Sequence, residues 1–348
     1  MRAFRMREWL TDPVLTEVDT PEPGPGQVLV RIGGAGVCHS DLHIIREFQP
    51  GQMPWELPFT LGHENAGWVE AIGSGVAGLE PGMPVAVYGP WGCGACERCL
   101  QGVETYCERP GEAPVALGGG GLGLDGGMAD YLLVPHARHV VPLPDGLDPV
   151  TAAPLTDAGL TPYHAVRRSW PKLTPTATAV IIGIGGLGHL AVQIVKATTA
   201  ARVIAIDTRA EALELARRLG ADLTATPGEG VAALVRDETK GLGADVVIDC
   251  VGSEGTLALA VSVGRVLGDL TIVGLGGGTL PVTFFGVPFE MSVQTTYWGS
   301  RPELREVLEL AARGLLHIEV TRFSLDDVAE AYRRLEEGSL TGRAVVTP

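Results

Sequence analysis

The stretch "ATAVIIGIGGLGHLAVQIVKATTA" constrains the fold more than any other part of this sequence. An apolar, β-branched run ends at Gly183, and a run with helical spacing begins at Gly188. Between them Gly183, Gly185 and Gly188 stand in G-x-G-x-x-G spacing. Glycines there permit a tight turn and let a pyrophosphate approach a helix N-terminus, whose N–H groups favour anions. Strand, turn and helix in that order are what give the motif meaning. Gly186 and Leu187 complete the expected cofactor turn. The same spacing in "GLGLDG" (121–126) has no such strand and helix around it and reads as a flexible loop. One strand further on, Asp207 ends "RVIAID", where a carboxylate can accept hydrogen bonds from ribose hydroxyls and favours NAD over NADP. Arg209 nearby pulls the other way.

From about residue 178 strands alternate with helices, through "RAEALELARRLGA", "ADVVIDCVG" and "LTIVGLG". Apolar strands each followed by a helix predict a doubly wound parallel sheet. Residues 1–155 read differently. Short β-type runs such as "QVLVRIGGAGV", "AGWVEAIGSGV" and "MADYLLVP" are separated by Gly/Pro turns, which predicts an all-β, barrel-like domain. Thr161-Pro162 reads as a helix start. The expected division is 1–155, with a cysteine lobe at about 91–110, then 156–296, with 297–348 returning to the first domain.

A net charge of −15 and the lack of any basic stripe argue against a nucleic-acid partner. The longest apolar stretch, residues 179–195, holds four glycines and falls short of the about 20 apolar residues that a membrane span needs. "MRAFRMREWL" has no apolar run of the kind a secretion signal carries, so the chain is expected to be cytoplasmic, where disulfides are rare. Its six cysteines are then metal ligands, nucleophiles or core residues. Cys250, in "VVIDCVG", reads as a buried strand residue.

"CGACERCLQGVETYC" sets Cys93, Cys96, Cys99 and Cys107 in C-x2-C-x2-C-x7-C spacing. Four thiolates complete a tetrahedral zinc with no open position, which makes the site structural. An iron–sulfur cluster is the chemical rival. A second set is scattered. Cys38 lies in "GVCHSDLH", His63 in "TLGHENAG", and Asp157 in the apolar "AAPLTDAGL", where a carboxylate needs a partner. A catalytic zinc takes three protein ligands and keeps one position open. Glu64 is an alternative ligand, and a capping role before the helix at 161 is the other reading of Asp157.

Several marks come in one order over nearly the whole chain. They are Cys-x-Ser-Asp-x-His at 38–43, Gly-His-Glu at 62–64 with Gly67, Gly73 and Val76, the four-cysteine segment and the glycine turn. In these the chain resembles the zinc-containing medium-chain alcohol dehydrogenases, and among them bacterial NAD-dependent secondary alcohol dehydrogenases. The resemblance implies a GroES-like β-barrel catalytic domain, a Rossmann domain and a homodimer or homotetramer. It also implies NAD, two zinc ions per chain, and an alcohol or ketone as the small-molecule substrate. Ser40 is expected to accept the alcohol proton, which passes by resemblance through ribose hydroxyls to His43. His39 and Arg343 fall where members place cationic groups near the pyrophosphate. Trp91, Tyr297 and Trp298 are candidates for a pocket wall or for core. Many members carry Cys at the position of Asp157, and a carboxylate oxygen also binds zinc, at about 2.0–2.2 Å. Primary alcohols or polyols are alternative substrates. A zinc-free quinone or enoyl reductase and a non-enzymatic nucleotide sensor are the rival classes.

Overall fold

The computed structural model describes residues 1–348 and divides into two compact units. One comprises Met1–Leu160, Gly299–Ala312 and Ile318–Pro348; the other comprises Thr161–Trp298 and Arg313–His317. No helix is long and apolar enough to cross a membrane.

The second unit holds a six-stranded sheet. Its order is Leu223–Ala225, Arg202–Ile206, Thr178–Ile182, Ala244–Asp249, Gly264–Ile272 and Ser292–Thr295, and every neighbouring pair is parallel. Helices Gly188–Thr198, Ala210–Arg218, Val231–Glu238 and Glu254–Val263 connect the strands, so the sheet is doubly wound as its alternating pattern predicts. The central strands Thr178–Ile182 and Ala244–Asp249 are apolar without alternation because both faces are covered. Val180, Ile182, Ile204, Val247 and Leu270 form the core between sheet and helices. Burying each such side chain stabilises the fold by about 1.5–3 kcal/mol. Cys250 sits just past its strand, partly buried, rather than within it.

The first unit is built on a seven-stranded sheet. Its long central strand, Val28–Gly36, pairs antiparallel with Glu64–Ile72, Tyr131–Val134 and Arg343–Thr347. The register matters for the site. Gly36 lies opposite both Glu64 and Val345, so Cys38, His63 and Arg343 emerge beside one another at that end of the sheet. The unit also holds a three-stranded sheet of Val14–Glu17, Arg2–Met6 and Phe59–Thr60 and a two-stranded parallel pair, Gly119–Gly120 with Gly123–Leu124. Helix Pro149–Ala152 begins with a proline in its first turn and is capped by Asp148, which accepts from the N–H groups of Val150 and Thr151. It continues into the 3-10 turn Ala153–Thr156, packs on Val28–Gly36 and Glu64–Ile72, and ends at Asp157. Helix Leu160–Arg168 starts one residue before the Thr-Pro pair that signals it.

Candidate functional site

Cys38 occupies the N-cap of helix His39–Arg46, with extended backbone, and Asp41 stands at that helix's third position. The Asp41 carboxylate turns back to accept the Cys38 N–H at 3.2 Å, which fixes the cysteine's exit from the strand. His63 enters from the neighbouring strand. Its Nδ1 lies 2.9 Å from Asp41 Oδ1, with both side chains buried, so its Nε2 faces elsewhere, 3.4 Å from Asp157 Oδ2. Cys38 Sγ lies 3.9 Å from the same Asp157 oxygen and 3.6 Å from Ser40 Oγ. Ligand atoms of Cys38, His63, Glu64 and Asp157 all fall within 4.8 Å of one another.

These donors fit zinc. A tetrahedron with the usual Zn–N, Zn–O and Zn–S bonds has ligand–ligand edges of about 3.3–3.7 Å. A histidine braced at Nδ1 by a carboxylate is how zinc-ligating imidazoles are held in one tautomer. Burial opposes charge on His63, but Asp41, then Asp157 and Cys38, outweigh it and hold the imidazole well above its usual pKa. The same crowding of anions is what a cation offsets.

Glu64 has a separate partner. Arg343 donates from Nε at 3.0 Å and from Nη2 to the two Glu64 oxygens, with both side chains buried. Burial pushes the Glu64 carboxyl up to about 7, and the Arg343 charge works against that rise. Arg343, expected at a pyrophosphate, thus stands in the first unit as the counter-charge of a buried acid. Its burial follows from the need to pair Glu64.

Sequence reasoning missed Asp41 as a support and misread residues 121–126. Those residues form a hydrogen-bonded turn rather than a flexible loop. Gly121 N–H donates to Leu124 O and Gly126 N–H to Thr60 O, each at 2.8 Å. Gly121 takes φ +83, and a Cβ there would stand 2.8 Å from His63 N. The glycines serve close packing behind His63, not a phosphate.

The four cysteines of the lobe are all free of disulfides. Cys93 and Cys99 sulfurs are 3.9 Å apart, Cys96 and Cys107 sulfurs 4.0 Å, near the roughly 3.8 Å edge of a Zn–S4 tetrahedron. Backbone N–H groups of Cys96, Glu108 and Arg109 point at these sulfurs. Backbone donors at Cys99 and Glu108 draw the Cys96 thiol down to about 6, while burial pushes the Cys99 and Cys107 thiols up. The lobe hangs on a residue with no sequence signal. Glu104, fully buried, accepts from Gly92 N–H at 2.9 Å and Arg138 Nε at 3.2 Å, and pairs with His139 Nε2 at 2.9 Å. Trp91 stacks on His139 at 5.8 Å and donates its indole N–H to Tyr88 O. It is lobe core, because its one polar atom and its ring are both already engaged.

In the second unit Gly183 takes φ +84, and Gly188 opens the helix Gly188–Thr198. A Cβ on Gly188 would meet Gly183 O at 1.8 Å, so only glycine fits the turn that also contains Gly185, Gly186 and Leu187. Asp207 directly follows the neighbouring strand, Arg202–Ile206. It accepts Ile184 N–H at 2.6 Å and Arg209 N–H at 2.8 Å, which ties it to the turn, and Arg209 Nε lies 3.5 Å away. Two donors leave acceptor capacity on a carboxylate that has about four lone-pair sites. Trp298 is buried and Tyr297 exposed. On helix His39–Arg46, His39 is exposed and His43 Nδ1 pairs with Glu47 Oε1 at 2.9 Å.

Comparison with known proteins agrees with this geometry. Residues 24–145 match the alcohol dehydrogenase GroES-like domain, and residues 186–313 match the zinc-binding dehydrogenase domain. An NAD-dependent alcohol dehydrogenase of Sulfurisphaera tokodaii is 39% identical over 100% of both chains. The crystal structure of the alcohol dehydrogenase of Aeropyrum pernix superposes with a TM-score of 0.91 at 38% identity, again over 100% of both chains. The acetophenone reductase of Geotrichum candidum, solved in complex with NAD, reaches 0.85 at 31% identity, covering 100% of this chain and 97% of that one. With both domains matched and full-length relatives well above 30% identity, the chain belongs to the zinc-binding alcohol dehydrogenase family.

Proposed function

We propose that the protein oxidises secondary alcohols to ketones, reversibly, with NAD as hydride acceptor and two zinc ions per chain. The observation that carries this reading is the convergence of Cys38 Sγ, His63 Nε2 and Asp157 Oδ2, with Asp41 behind His63. When bound, zinc supplies Lewis acidity toward an alcohol oxygen, and NAD supplies the acceptor for hydride.

Every remaining role belongs to the chain. Cys38, His63 and Asp157 hold the metal, and Glu64, clamped by Arg343, is kept as a reserve carboxylate beside it. Ser40, whose Oγ is 3.6 Å from Cys38 Sγ, accepts the alcohol proton. His43 takes that proton on toward solvent, with Glu47 against its Nδ1. The glycine turn and the N-terminus of Gly188–Thr198 bind the pyrophosphate, while Asp207 accepts from the ribose hydroxyls. The ketone substrate printed in the name of the acetophenone reductase relative supports a secondary alcohol here.

The proposal extends to a homodimer or homotetramer in the cytoplasm. In the second unit Phe284, Phe285 and Phe289 are exposed and pack edge to face, near Val266 and Leu267. They lie close to Ser292–Thr295, the last strand of the sheet, and such a patch is what a second copy covers.

The test is NADH formation by the purified protein with secondary alcohols, primary alcohols and polyols. The secondary class should give the highest kcat/KM. A preference for primary alcohols sinks the substrate class. Full activity after metal removal points to a quinone or enoyl reductase, and NAD binding without turnover of any alcohol points to a sensor.

A further inference from the structure

Asp41 has three donors, and one of them comes from the far end of the chain. Its Oδ1 holds His63 Nδ1, while its Oδ2 accepts both the Cys38 N–H and the hydroxyl of Tyr332, the latter at 2.8 Å. Tyr332 lies on helix Val328–Glu336, which packs against helix His39–Arg46. The phenol is buried and its ring stacks on Phe4 at 5.8 Å with an interplanar angle of 17°. Stacking and helix packing fix the ring, so the hydroxyl has one direction, and that direction is Asp41. Asp41 itself is 0% exposed, so water has no access to replace a lost donor.

We propose that Tyr332 is a positioning residue for the catalytic metal centre: its hydroxyl fixes the Asp41 carboxylate, which fixes the tautomer and aim of His63. This inference rests on the reading that Cys38, His63 and Asp157 hold zinc. Without the phenol, Asp41 Oδ2 keeps only the longer Cys38 N–H bond at 3.2 Å, so the carboxylate is held less firmly and the aim of His63 Nε2 toward Asp157 Oδ2 loosens with it. Partners standing behind a metal-binding histidine typically contribute about 10- to 100-fold to metal retention. Tyr332 shares no motif spacing with Cys38 or His63, which is why the sequence alone hides it.

The experiment compares zinc release from the intact holoenzyme into a colorimetric chelator for wild type, Tyr332→Phe and Phe4→Leu. Wild type should release two zinc ions in two phases, and Cys38→Ala should lack one of them. In Tyr332→Phe that same phase should accelerate roughly 10- to 100-fold, with the other phase unchanged and the ring stack kept. Phe4→Leu, which loosens the ring but keeps the hydroxyl, should accelerate that phase less than Tyr332→Phe does, and an equal or larger acceleration would assign the effect to packing rather than to the hydroxyl. Wild-type release kinetics in Tyr332→Phe overturn the proposal, as does equal acceleration of both phases, which would mean general loosening. If Cys38→Ala keeps both phases, the metal-site reading fails and the role of Tyr332 falls with it.

Discussion

The cysteine lobe and the Cys38–His63–Asp157 centre use the same chemistry in opposite ways. In the lobe four sulfurs from one short segment, Cys93 to Cys107, face one another, and backbone N–H groups support them. Nothing is left for a substrate, and the bound metal substitutes for a hydrophobic core that so short a segment lacks. The other centre draws three different ligand types from a helix cap, a strand start and a turn. Side chains rather than backbone hold it, with Asp41 on His63 and Arg343 on Glu64. The lesson is that a local, uniform ligand set stabilises a fold, while a dispersed, mixed set supported by buried side chains leaves a coordination position for chemistry.

That contrast can be broken by substitution. Cys99→Ser should have the largest effect on folding, because structural zinc binding is folding free energy, on the order of 10 kcal/mol in small zinc domains. Thermal unfolding should show the lobe lost. His63→Ala should do the reverse, taking NADH formation to background while shifting Tm far less. A similar Tm loss in both would erase the distinction between the two centres.

Next comes the lobe's anchor. Glu104→Ala strands Arg138, His139 and the Gly92 N–H in a buried setting, where breaking such a pair costs about 3–5 kcal/mol. Chemical denaturation should show that loss, with smaller loss for Glu104→Gln. Acid should find the same point. Burial holds His139 down at about 4 against an ordinary value of 6.5, and Glu104 sits below its ordinary 4.5, where His139 and Arg138 outweigh burial. The unfolded chain therefore binds the His139 proton first, so stability present above pH 6.5 falls as pH drops toward 4. Glu104 adds a further loss below 4.5. The denaturation midpoint measured from pH 7.5 to 4.5 should decline, and His139→Gln should flatten the upper part of that slope. An unchanged slope would remove His139 from the account.

Features that spacing encodes were legible from sequence. The cysteine quartet lies within one segment, and the glycine turn announces itself through the strand and helix on either side. The two largest sheets follow from residue periodicity. What stayed hidden depends on register and burial. Asp41 and Tyr332 meet across 291 residues, and Glu104 meets His139 across 35. Arg343 read as a cation for phosphate, and its pairing with the buried Glu64, which the register of Gly36 with Glu64 and Val345 brings about, was not legible. The glycines at 121–126 carry the same spacing as the cofactor turn but serve to pack backbone against His63. A motif's letters are ambiguous until its flanking elements are known.

The most direct test of the two-centre account is zinc content per chain in wild type and in Cys38→Ala, measured on folded protein by elemental analysis. The account predicts about two zinc ions falling to one, with alcohol-dependent NADH formation lost and the lobe's zinc retained. Two zinc ions kept by Cys38→Ala would contradict it.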